Sequence, residues 1–472
     1  MSRTPRGLLA ADLAHTNPWW GGKGWQSNDP QLEAVARAPF TWHPTALDDM
    51  APPNVYTLRG PRRVGKSTLL KQQINRLCAE VDPRQIVYIA ADLFRTRTDL
   101  QNIIQAARGM FPTLEGKPRY YFVDEITAIK DWHVAVKWLR DNTLASRDCF
   151  VLTGSSAADI APGTESLAGR RGPDDALDRL LLPMPFPIFA HYAGFDLPSL
   201  PRLTIPDFYS PDGRAACQEA LVYLDRLVIA YEQYLAVGGF PQAVAGLLRS
   251  GAVPAGFARD LWDVVQSDLR HVGVSRPEKC LRLLERLVHA TCAPVAFRKL
   301  GEELDVDQRT AQSWVEALAN SYLVFLLFKE NDGVPDLNSV RKVYLTDPAL
   351  ASLPQRLAPG SGGPNPTQLA ETVLAMAFFR TTERNAVDRF TRPQRLFYYT
   401  SKKNTEIDFL VHPGSRVADS KYVDTPDHRE ARAMVENFGE ALLLTRTATD
   451  LDNPQSLIVP APVFCWLLDQ PV

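Results

Sequence analysis

The segment from residue 60 to residue 67 constrains the fold of this chain more than any other. Apolar residues 55–58 precede it and predict a strand, and residues 68–77 follow it and predict an amphipathic helix. Backbone N–H groups of such a loop, together with the helix N-terminus, face a bound phosphate. The segment fits the pattern G-x-x-x-x-G-K-[ST] at every fixed position and reads Gly60, Pro61, Arg62, Arg63, Val64, Gly65, Lys66 and Ser67.

These residues and the following Thr68 are candidate ligands of ATP or a related nucleotide. We expect Lys66 to reach the β- and γ-phosphates and the Ser67 hydroxyl to bind Mg²⁺. A chance glycine turn is the alternative, but the strand, loop and helix order is the context that the motif needs. The sequence therefore predicts a nucleotide-binding protein.

Two neighbouring carboxylates, Asp124 and Glu125, end the apolar segment 120–123. A buried strand needs no charge at its end, so the paired acids indicate a cation site. We expect Asp124 to hold hydrated Mg²⁺ and Glu125 to polarise the attacking water. A further strand, 149–152, ends in Thr153 and is followed by Ser155, and either hydroxyl is a candidate to sit beside the γ-phosphate. A simple turn explains these small polar residues equally well.

Arginines after the fourth apolar strand are candidates for a finger that reaches across a subunit boundary. Arg170 and Arg171 follow Gly169, and Arg179 is a lesser candidate. An arginine finger stabilises the charge of the transferred phosphoryl group. Solvated surface arginines are the alternative, with equal weight.

The alternation of apolar runs and helical patterns between residues 55 and 190 predicts an α/β fold with a parallel sheet. Residues 1–50 form an N-terminal arm, and its Asn17-Pro18-Trp19-Trp20 segment is expected to pack on that core. Changes in composition place the other boundaries: a core at 51–195, a helical lid at 196–276, a winged helix-turn-helix-like segment at 277–345 and a last domain at 346–472.

The third helix of the helix-turn-helix-like segment is expected at 308–320 and is poorly equipped to contact DNA. Arg309 is its cation, and it lies among Gln312, Trp314 and Glu316. A role in structure or in protein contacts is therefore at least as well supported as DNA reading.

The last domain carries three acids and a lysine in an order typical of metal-dependent phosphodiester hydrolysis. Glu371 interrupts an apolar helix, and Asp408 interrupts an apolar strand. Asp419 and Lys421 are two residues apart on the next strand, so both project from one face. We expect Glu371, Asp408 and Asp419 to hold Mg²⁺ or Mn²⁺ and Lys421 to orient or activate water. The alternative is an ion-paired sheet face that holds no metal.

Composition excludes some classes of protein. With 472 residues the chain has room for roughly three domains. Lys and Arg total 52 and Asp and Glu total 54, so nucleic acid must be bound by a local patch if at all. The six cysteines are scattered singly, which predicts buried thiols in a reducing compartment. Because no apolar run approaches the roughly 20 residues that span a bilayer, we expect a cytoplasmic protein with no membrane partner.

The quoted motifs, with Gly238-Gly239-Phe240-Pro241 and Glu406-Ile407-Asp408-Phe409, resemble a bacterial and archaeal family of AAA-type ATPases. In that family a C-terminal domain of unknown function has a restriction-endonuclease-like PD-(D/E)XK fold. The resemblance implies an AAA+ core with a helical lid, a winged helix and a nuclease-like end, and a homo-oligomer, with a hexameric ring as one form. Asp419 stands where Glu is more usual, which shortens the reach to a metal but keeps the charge.

Two functions are consistent with these features. The first is an ATP-driven enzyme that remodels or translocates DNA and whose last domain binds or cuts it. The second is a signalling switch in which ATP orders the chain and the C-terminal domains bind partners without catalysis. The complete Glu371, Asp408, Asp419 and Lys421 set favours the first, and the few cations of residues 308–320 favour the second.

Overall fold

The computed structural model describes residues 12–22, 24–154, 160, 163–274, 276–358, 364–383, 393–414, 416–426 and 431–470. The chain divides into two compact units, Met1–Leu182 and Pro183–Val472. Among the described residues, no helix combines the length and the apolar character needed to cross a bilayer.

A five-stranded parallel sheet forms the centre of the first unit. Its strand order is β2-β3-β4-β1-β5, so each crossover lies on a face of the sheet and the strands are buried. This accounts for continuous apolar runs rather than alternating ones. The strands are β1 (Val55–Arg59), β2 (Ile86–Ala90), β3 (Tyr120–Asp124), β4 (Cys149–Gly154) and β5 (Asp178–Leu180).

Two helices of this unit begin at residues whose side chains cap the helix N-terminus. Asp29 accepts two backbone N–H bonds at the start of the first helix, and Thr96 and Asp99 form a capping box at the third. Apolar faces of the third and fourth helices pack with the inner strands in one buried cluster. The helices are α1 (Pro30–Ala36), α2 (Lys66–Leu77), α3 (Arg97–Met110) and α4 (Trp132–Asn142).

The N-terminal arm closes the open edge of the sheet along β2. The Asn17 side chain donates to the Tyr88 carbonyl at 3.0 Å and accepts from the Tyr88 N–H at 2.6 Å, as a neighbouring strand residue would. Both Trp19 Nε1 and Trp20 Nε1 donate to the Ile86 carbonyl, at 3.0 and 2.8 Å. The expectation that this segment packs on the core is met, and its purpose is to satisfy backbone groups that an edge strand leaves unpaired.

The second unit begins with a helical region. Gly238 has φ +77°, and a Cβ there would lie 1.9 Å from Asp347 Oδ1, so the Gly-Gly-Phe-Pro motif packs too closely for a side chain. Asp347 accepts the Gly239 N–H at 2.7 Å and the Ala349 N–H at 2.9 Å. The helices here are α5 (Phe186–Tyr192), α6 (Pro211–Leu221), α7 (Leu224–Val237), α8 (Pro241–Ser250) and α9 (Ala255–His271).

A small sheet with three helices follows. Its strands pair in the order β6-β10-β7, all antiparallel, and a two-stranded hairpin of β8 and β9 lies between β7 and β10 in sequence. The elements are α10 (Pro277–Ala290), β6 (Pro294–Val295), α11 (Phe297–Leu304), α12 (Gln308–Asn320), β7 (Val324–Leu327), β8 (Glu330–Asn331), β9 (Val334–Pro335) and β10 (Arg341–Leu345). Helix α12 has the bounds 308–320 that the sequence predicts.

The last part of the second unit contains a five-stranded sheet in the order β11-β12-β13-β14-β15. The first three strands pair antiparallel and the last three pair parallel. Helix α15 is apolar on most of its surface because it is buried among these elements. The elements are α13 (Pro348–Ala351), α14 (Leu353–Leu357), α15 (Pro366–Thr382), β11 (Leu396–Thr400), β12 (Glu406–Val411), β13 (Arg416–Lys421), α16 (Arg432–Phe438), β14 (Ala441–Thr445), β15 (Ser456–Pro460) and α17 (Ala461–Leu467).

Candidate nucleotide-binding site and carboxylate cluster

The loop between β1 and α2 has the backbone shape that phosphate binding needs. Gly60 has φ +147°, and a Cβ on it would lie 1.9 Å from the Leu181 carbonyl oxygen. Gly65, at φ +105°, is the N-cap of α2, so the loop turns directly into the helix N-terminus. Val64 is buried and anchors the loop, whereas the neighbouring Arg63 is exposed.

Lys66 is held by the loop that it belongs to. Its Nζ donates to the Gly60 carbonyl at 2.9 Å and to the Pro61 carbonyl at 3.1 Å, and the residue is buried. These contacts place the ammonium on the concave side of the loop. Ser67 and Thr68 begin α2 beside it and are partly exposed.

Three strand ends bring the acidic pair next to this loop. Arg59 of β1 pairs with Gly154 of β4, and Ala90 of β2 pairs with Asp124 of β3. Because the strands are parallel, their carboxyl ends share one edge of the sheet, where ligands of open α/β sheets bind. The structure therefore brings the loop, Asp124, Glu125 and Thr153 to that edge.

Thr153 connects the two acids. Its hydroxyl donates to Asp124 Oδ1 at 2.5 Å and accepts the Glu125 N–H at 2.9 Å. Since the hydroxyl proton is used by Asp124, this geometry gives Thr153 the task of positioning the acids. The expectation that it lies beside the γ-phosphate stays a prediction, and Ser155 lies outside the described residues.

Glu125 has two properties suited to a general base. Its backbone lies in the left-handed region at φ 52°, which is unfavourable for a residue other than glycine. The hydrogen bond from the Glu125 N–H to the Thr153 hydroxyl helps to hold this conformation. Burial raises the pKa of its carboxyl, although the nearby Lys66 opposes the rise. A carboxylate with a raised pKa accepts a proton more readily.

A buried polar chain behind Asp124 was not foreseen from the sequence. The Tyr88 hydroxyl donates to Asp124 Oδ2 at 3.0 Å, and the Lys71 ammonium lies 4.0 Å from the centre of the Tyr88 ring. Lys71 also pairs with Asp29 Oδ2 at 3.2 Å and lies over Trp19. The spacing of Lys71 one turn beyond Ser67 on α2 was the available signal.

The candidate finger arginines are all engaged within their own unit. Arg171 pairs with both oxygens of Asp178, at 2.8 and 3.0 Å, and its carbonyl accepts the Val55 N–H at the start of β1. Arg170 pairs with Asp141 at 2.8 Å, and Arg179 pairs with Asp49 at 3.0 Å. Arg171 thus lies at the end of β1 opposite the loop, with a structural role, and a finger role for any of the three stays a prediction.

The residues of this site fit ATP and Mg²⁺. Backbone N–H groups at the N-terminus of α2 are available as donors to phosphate oxygens. Lys66 supplies a cation, and Ser67 and Asp124 supply oxygen ligands of the kind that Mg²⁺ prefers. Together they could bind the phosphates and the cation, while Glu125 accepts a proton from water.

A second polar centre lies in the C-terminal part, where Lys342 meets three carboxylates. Lys342 Nζ lies 2.7 Å from Asp408 Oδ1, 2.8 Å from Glu406 Oε1 and 3.6 Å from Glu371 Oε1. Its side chain is 0% exposed. The Tyr344 hydroxyl donates to Glu371 Oε1 at 2.8 Å.

Asp419 and Lys421 complete the cluster on β13. Lys421 Nζ lies 2.8 Å from Asp419 Oδ2, and Asp419 is hydrogen-bonded to Asp408. Asp408 Oδ2 also accepts the Ser420 N–H at 3.0 Å. The structure therefore brings together all four residues that the sequence analysis singled out. It also adds Lys342, which the sequence analysis did not single out.

The charges of this cluster depend on one another. Burial alone would raise the pKa of Asp408, but Lys342 lowers it to about 2. Burial and the charge of Asp408 raise the pKa of Glu371 to about 8 and raise that of Asp419 strongly. The three carboxyl groups thus do not ionise equally, and Asp408 carries the charge that faces Lys342.

The metal centre expected at Glu371, Asp408 and Asp419 stays a prediction. Within the described part of the chain, no group of three or more His, Cys, Asp or Glu side chains is arranged to hold a metal ion. The reason is local: Glu371 and Asp408 face an ammonium, and Asp419 faces Lys421. In the structure these side chains form ion pairs with one another.

The exposed side of α12 carries little positive charge. Gln312 Nε2 donates to Glu316 Oε1 at 2.8 Å, and Arg341 pairs with the same oxygen at 3.1 Å. The adjacent hairpin holds Glu330 and Asp332. Arg309 lies in the first turn of α12, and its side chain is exposed and accessible to a DNA phosphate.

Comparisons with known proteins cover separate parts of the chain. Residues 52–189 match the family model described as an AAA domain, and residues 229–358 match that of a domain of unknown function, DUF8612. The second match ends before the sheet that holds Asp408 and Asp419. Among curated proteins, none is similar enough to count as a match.

Solved structures that resemble this chain have low identity. A Walker-type ATPase of Pyrococcus abyssi is 13% identical, with 70% of this chain and 95% of that chain covered and a TM-score of 0.39. The Orc1 protein of Aeropyrum pernix, in complex with DNA, is 12% identical, with coverage of 71% and 95% and a TM-score of 0.27. Cdc6p of Pyrobaculum aerophilum is 13% identical, with coverage of 71% and 93% and a TM-score of 0.23.

The AAA-domain match spans β1 to β5, the loop at 60–67 and the acids at 124 and 125. Motif, strand order and family model therefore agree that this part of the chain is an AAA-type P-loop ATPase core.

Proposed function

We propose that this chain is a Mg²⁺-dependent ATPase that couples ATP hydrolysis to an action on DNA. The observation that carries the proposal is the position of Lys66, Asp124 and Glu125 at one edge of the parallel sheet. Mg²⁺, when bound, neutralises charge on the phosphates. Lys66 binds the phosphates, Asp124 and Ser67 hold the cation, and Glu125 orients a water molecule and accepts its proton.

The DNA part of the proposal is supported by the order of elements in the second unit. Residues 277–345 form a helix, a strand, two helices and an antiparallel strand pair with a hairpin between, in the sheet order β6-β10-β7. This order supports a winged helix-turn-helix. Helix α15 is followed by three antiparallel strands and two parallel ones, and this order supports a nuclease-like fold. Both folds contact nucleic acids in other proteins, although fold alone does not assign function.

A second candidate function is an ATP-dependent switch that binds a protein partner. The acids on α12 and on the hairpin favour it, because negative charge repels DNA phosphates. In this case the C-terminal domains dock a partner and the ATPase core controls the docking.

DNA binding at several salt concentrations separates the two candidates. Fluorescence anisotropy of linear, single-stranded and branched DNA, with and without ATP, should show affinity that falls steeply as salt increases. Arg309→Ala should weaken binding and reduce the slope of log K against log salt by about 1. The matched control is Lys117→Ala, which removes an exposed lysine in the ATPase core. If the protein binds no DNA at any salt concentration, the DNA proposal is contradicted and the ATP-dependent switch becomes the better-supported function.

A further inference from the structure

The cluster around Lys342 contains buried charges that require a counter-ion. Asp408 and Glu371 are buried or nearly so, and Glu406 reaches the same point from the exposed end of β12. Burial of several carboxylates together is costly unless a cation compensates them. A divalent metal ion is one such cation, and an ammonium group is another.

Lys342 already supplies this cation. Its Nζ lies within hydrogen-bond distance of Asp408 Oδ1 and Glu406 Oε1 and 3.6 Å from Glu371 Oε1. The ammonium therefore contacts the oxygens of two of the three expected metal ligands. The ring of Tyr398, 5.7 Å away, adds a second favourable contact for a positive charge.

Three of these carboxylate oxygens have further partners outside the Lys342 ammonium. Asp408 Oδ2 accepts the Ser420 N–H, Asp419 Oδ2 faces Lys421, and Glu371 Oε1 accepts the Tyr344 hydroxyl. Lys342 and Tyr344 are two residues apart on β10, so both side chains project from the same face of that strand onto the cluster. Strand β10 thus places an ammonium and a hydroxyl against Asp408 and Glu371.

From this geometry we infer that Lys342 takes the place of the metal ion in the nuclease-like domain. The cluster then fastens β10 to β12 and α15 by buried ion pairs and does not form a Mg²⁺ or Mn²⁺ centre. The last domain then lacks the metal centre that phosphodiester cleavage of this type needs. The inference does not depend on ATP hydrolysis, and it holds for either candidate function.

Manganese binding tests the inference directly. Titration of Mn²⁺ into nucleotide-free protein, followed by the electron paramagnetic resonance signal of free Mn²⁺, should give the same result for the wild type and for Asp408→Asn. Lys342→Met should gain one Mn²⁺ site, and Lys342→Met combined with Asp408→Asn should lose it. A wild-type Mn²⁺ site that Asp408→Asn abolishes, or a Lys342→Met variant that gains none, would overturn the inference.

The melting temperatures of the same variants provide a second test, which applies even if Lys342→Met is too unstable for Mn²⁺ titration. The single variant leaves buried carboxylates uncompensated and should lower the melting temperature strongly. Asp408→Asn in the same chain removes the charge that faces the missing ammonium and should restore part of the loss. Lys403→Met, which removes an exposed lysine paired with Glu436, should change the melting temperature little. An equal loss in the Lys342→Met single and double variants would show that the ion pair is not the fastening element.

Discussion

Asn17→Ala is expected to loosen the edge strand of the ATPase core. The Asn17 side chain is 0% exposed and pairs with both backbone groups of Tyr88. Without the Asn17 side chain, the backbone N–H and the carbonyl of Tyr88 both lose a hydrogen-bond partner in a buried environment. An unsatisfied buried group costs about 1–3 kcal/mol, so two cost about 2–6 kcal/mol of the unfolding free energy.

Urea unfolding and hydrogen exchange measure this effect together. The unfolding midpoint should fall, and the Tyr88 amide should exchange faster, because its acceptor is lost. Ser27→Ala, in the same N-terminal arm, is the control: its exposed hydroxyl donates to the Gly24 carbonyl within its own turn. Equal midpoints and equal exchange at Tyr88 for the two variants would refute the proposed role of Asn17 as a stand-in for a neighbouring strand.

Three further predictions concern the acids and the Gly-Gly motif. Tyr88→Phe removes a hydrogen bond to Asp124 and should raise the Mg²⁺ concentration needed for half-maximal ATPase rate, whereas ATP binding without Mg²⁺ stays unchanged. Gly238→Ala should lower the melting temperature by several degrees, more than Gly251→Ala does, because a Cβ at Gly238 meets Asp347 Oδ1. Burial raises the pKa of Asp347 to about 7, so the folded chain binds its proton more tightly than the unfolded chain. The unfolding free energy should therefore fall as the pH rises from about 4 to about 7, and Asp347→Asn should make this fall smaller, with the raised pKa of Glu371 contributing part of what remains.

The sequence was most informative where chemistry is fixed by a local pattern. The loop at 60–67 needs its glycines, its lysine and its serine in fixed order, and the neighbouring strand and helix follow from apolar periodicity. The acid pair was also predictable, because two carboxylates at the end of a buried strand need a cation. The helices at 277–290, 297–304 and 308–320 were predictable from their apolar faces.

The sequence could not predict contacts that depend on tertiary pairing. Strand β5 has three residues and includes Asp178, whose charge is compensated by Arg59 and Arg171 from other elements. Lys342 belongs to no motif in the sequence, and its role follows only from the contact of its Nζ with Asp408 of β12.

The mapping of the four acidic and basic residues of the last domain shows the same limit. Their order on helix and strands was sufficient to predict that they meet, and Glu371, Asp408, Asp419 and Lys421 do meet. Which cation neutralises them depends on a strand outside the motif. The sequence pattern therefore predicted the cluster but not its contact with Lys342.

ATP binding and hydrolysis by Glu125→Gln, measured beside the wild type and Lys66→Ala at saturating Mg²⁺, test the central claim most directly. Glutamine keeps the shape of the side chain but cannot accept a proton. We expect Glu125→Gln to bind ATP as tightly as the wild type and to lose about 10²–10⁴-fold in hydrolysis rate, and Lys66→Ala to lose binding. Equal turnover by the wild type and Glu125→Gln would contradict the assignment of Glu125 as the base.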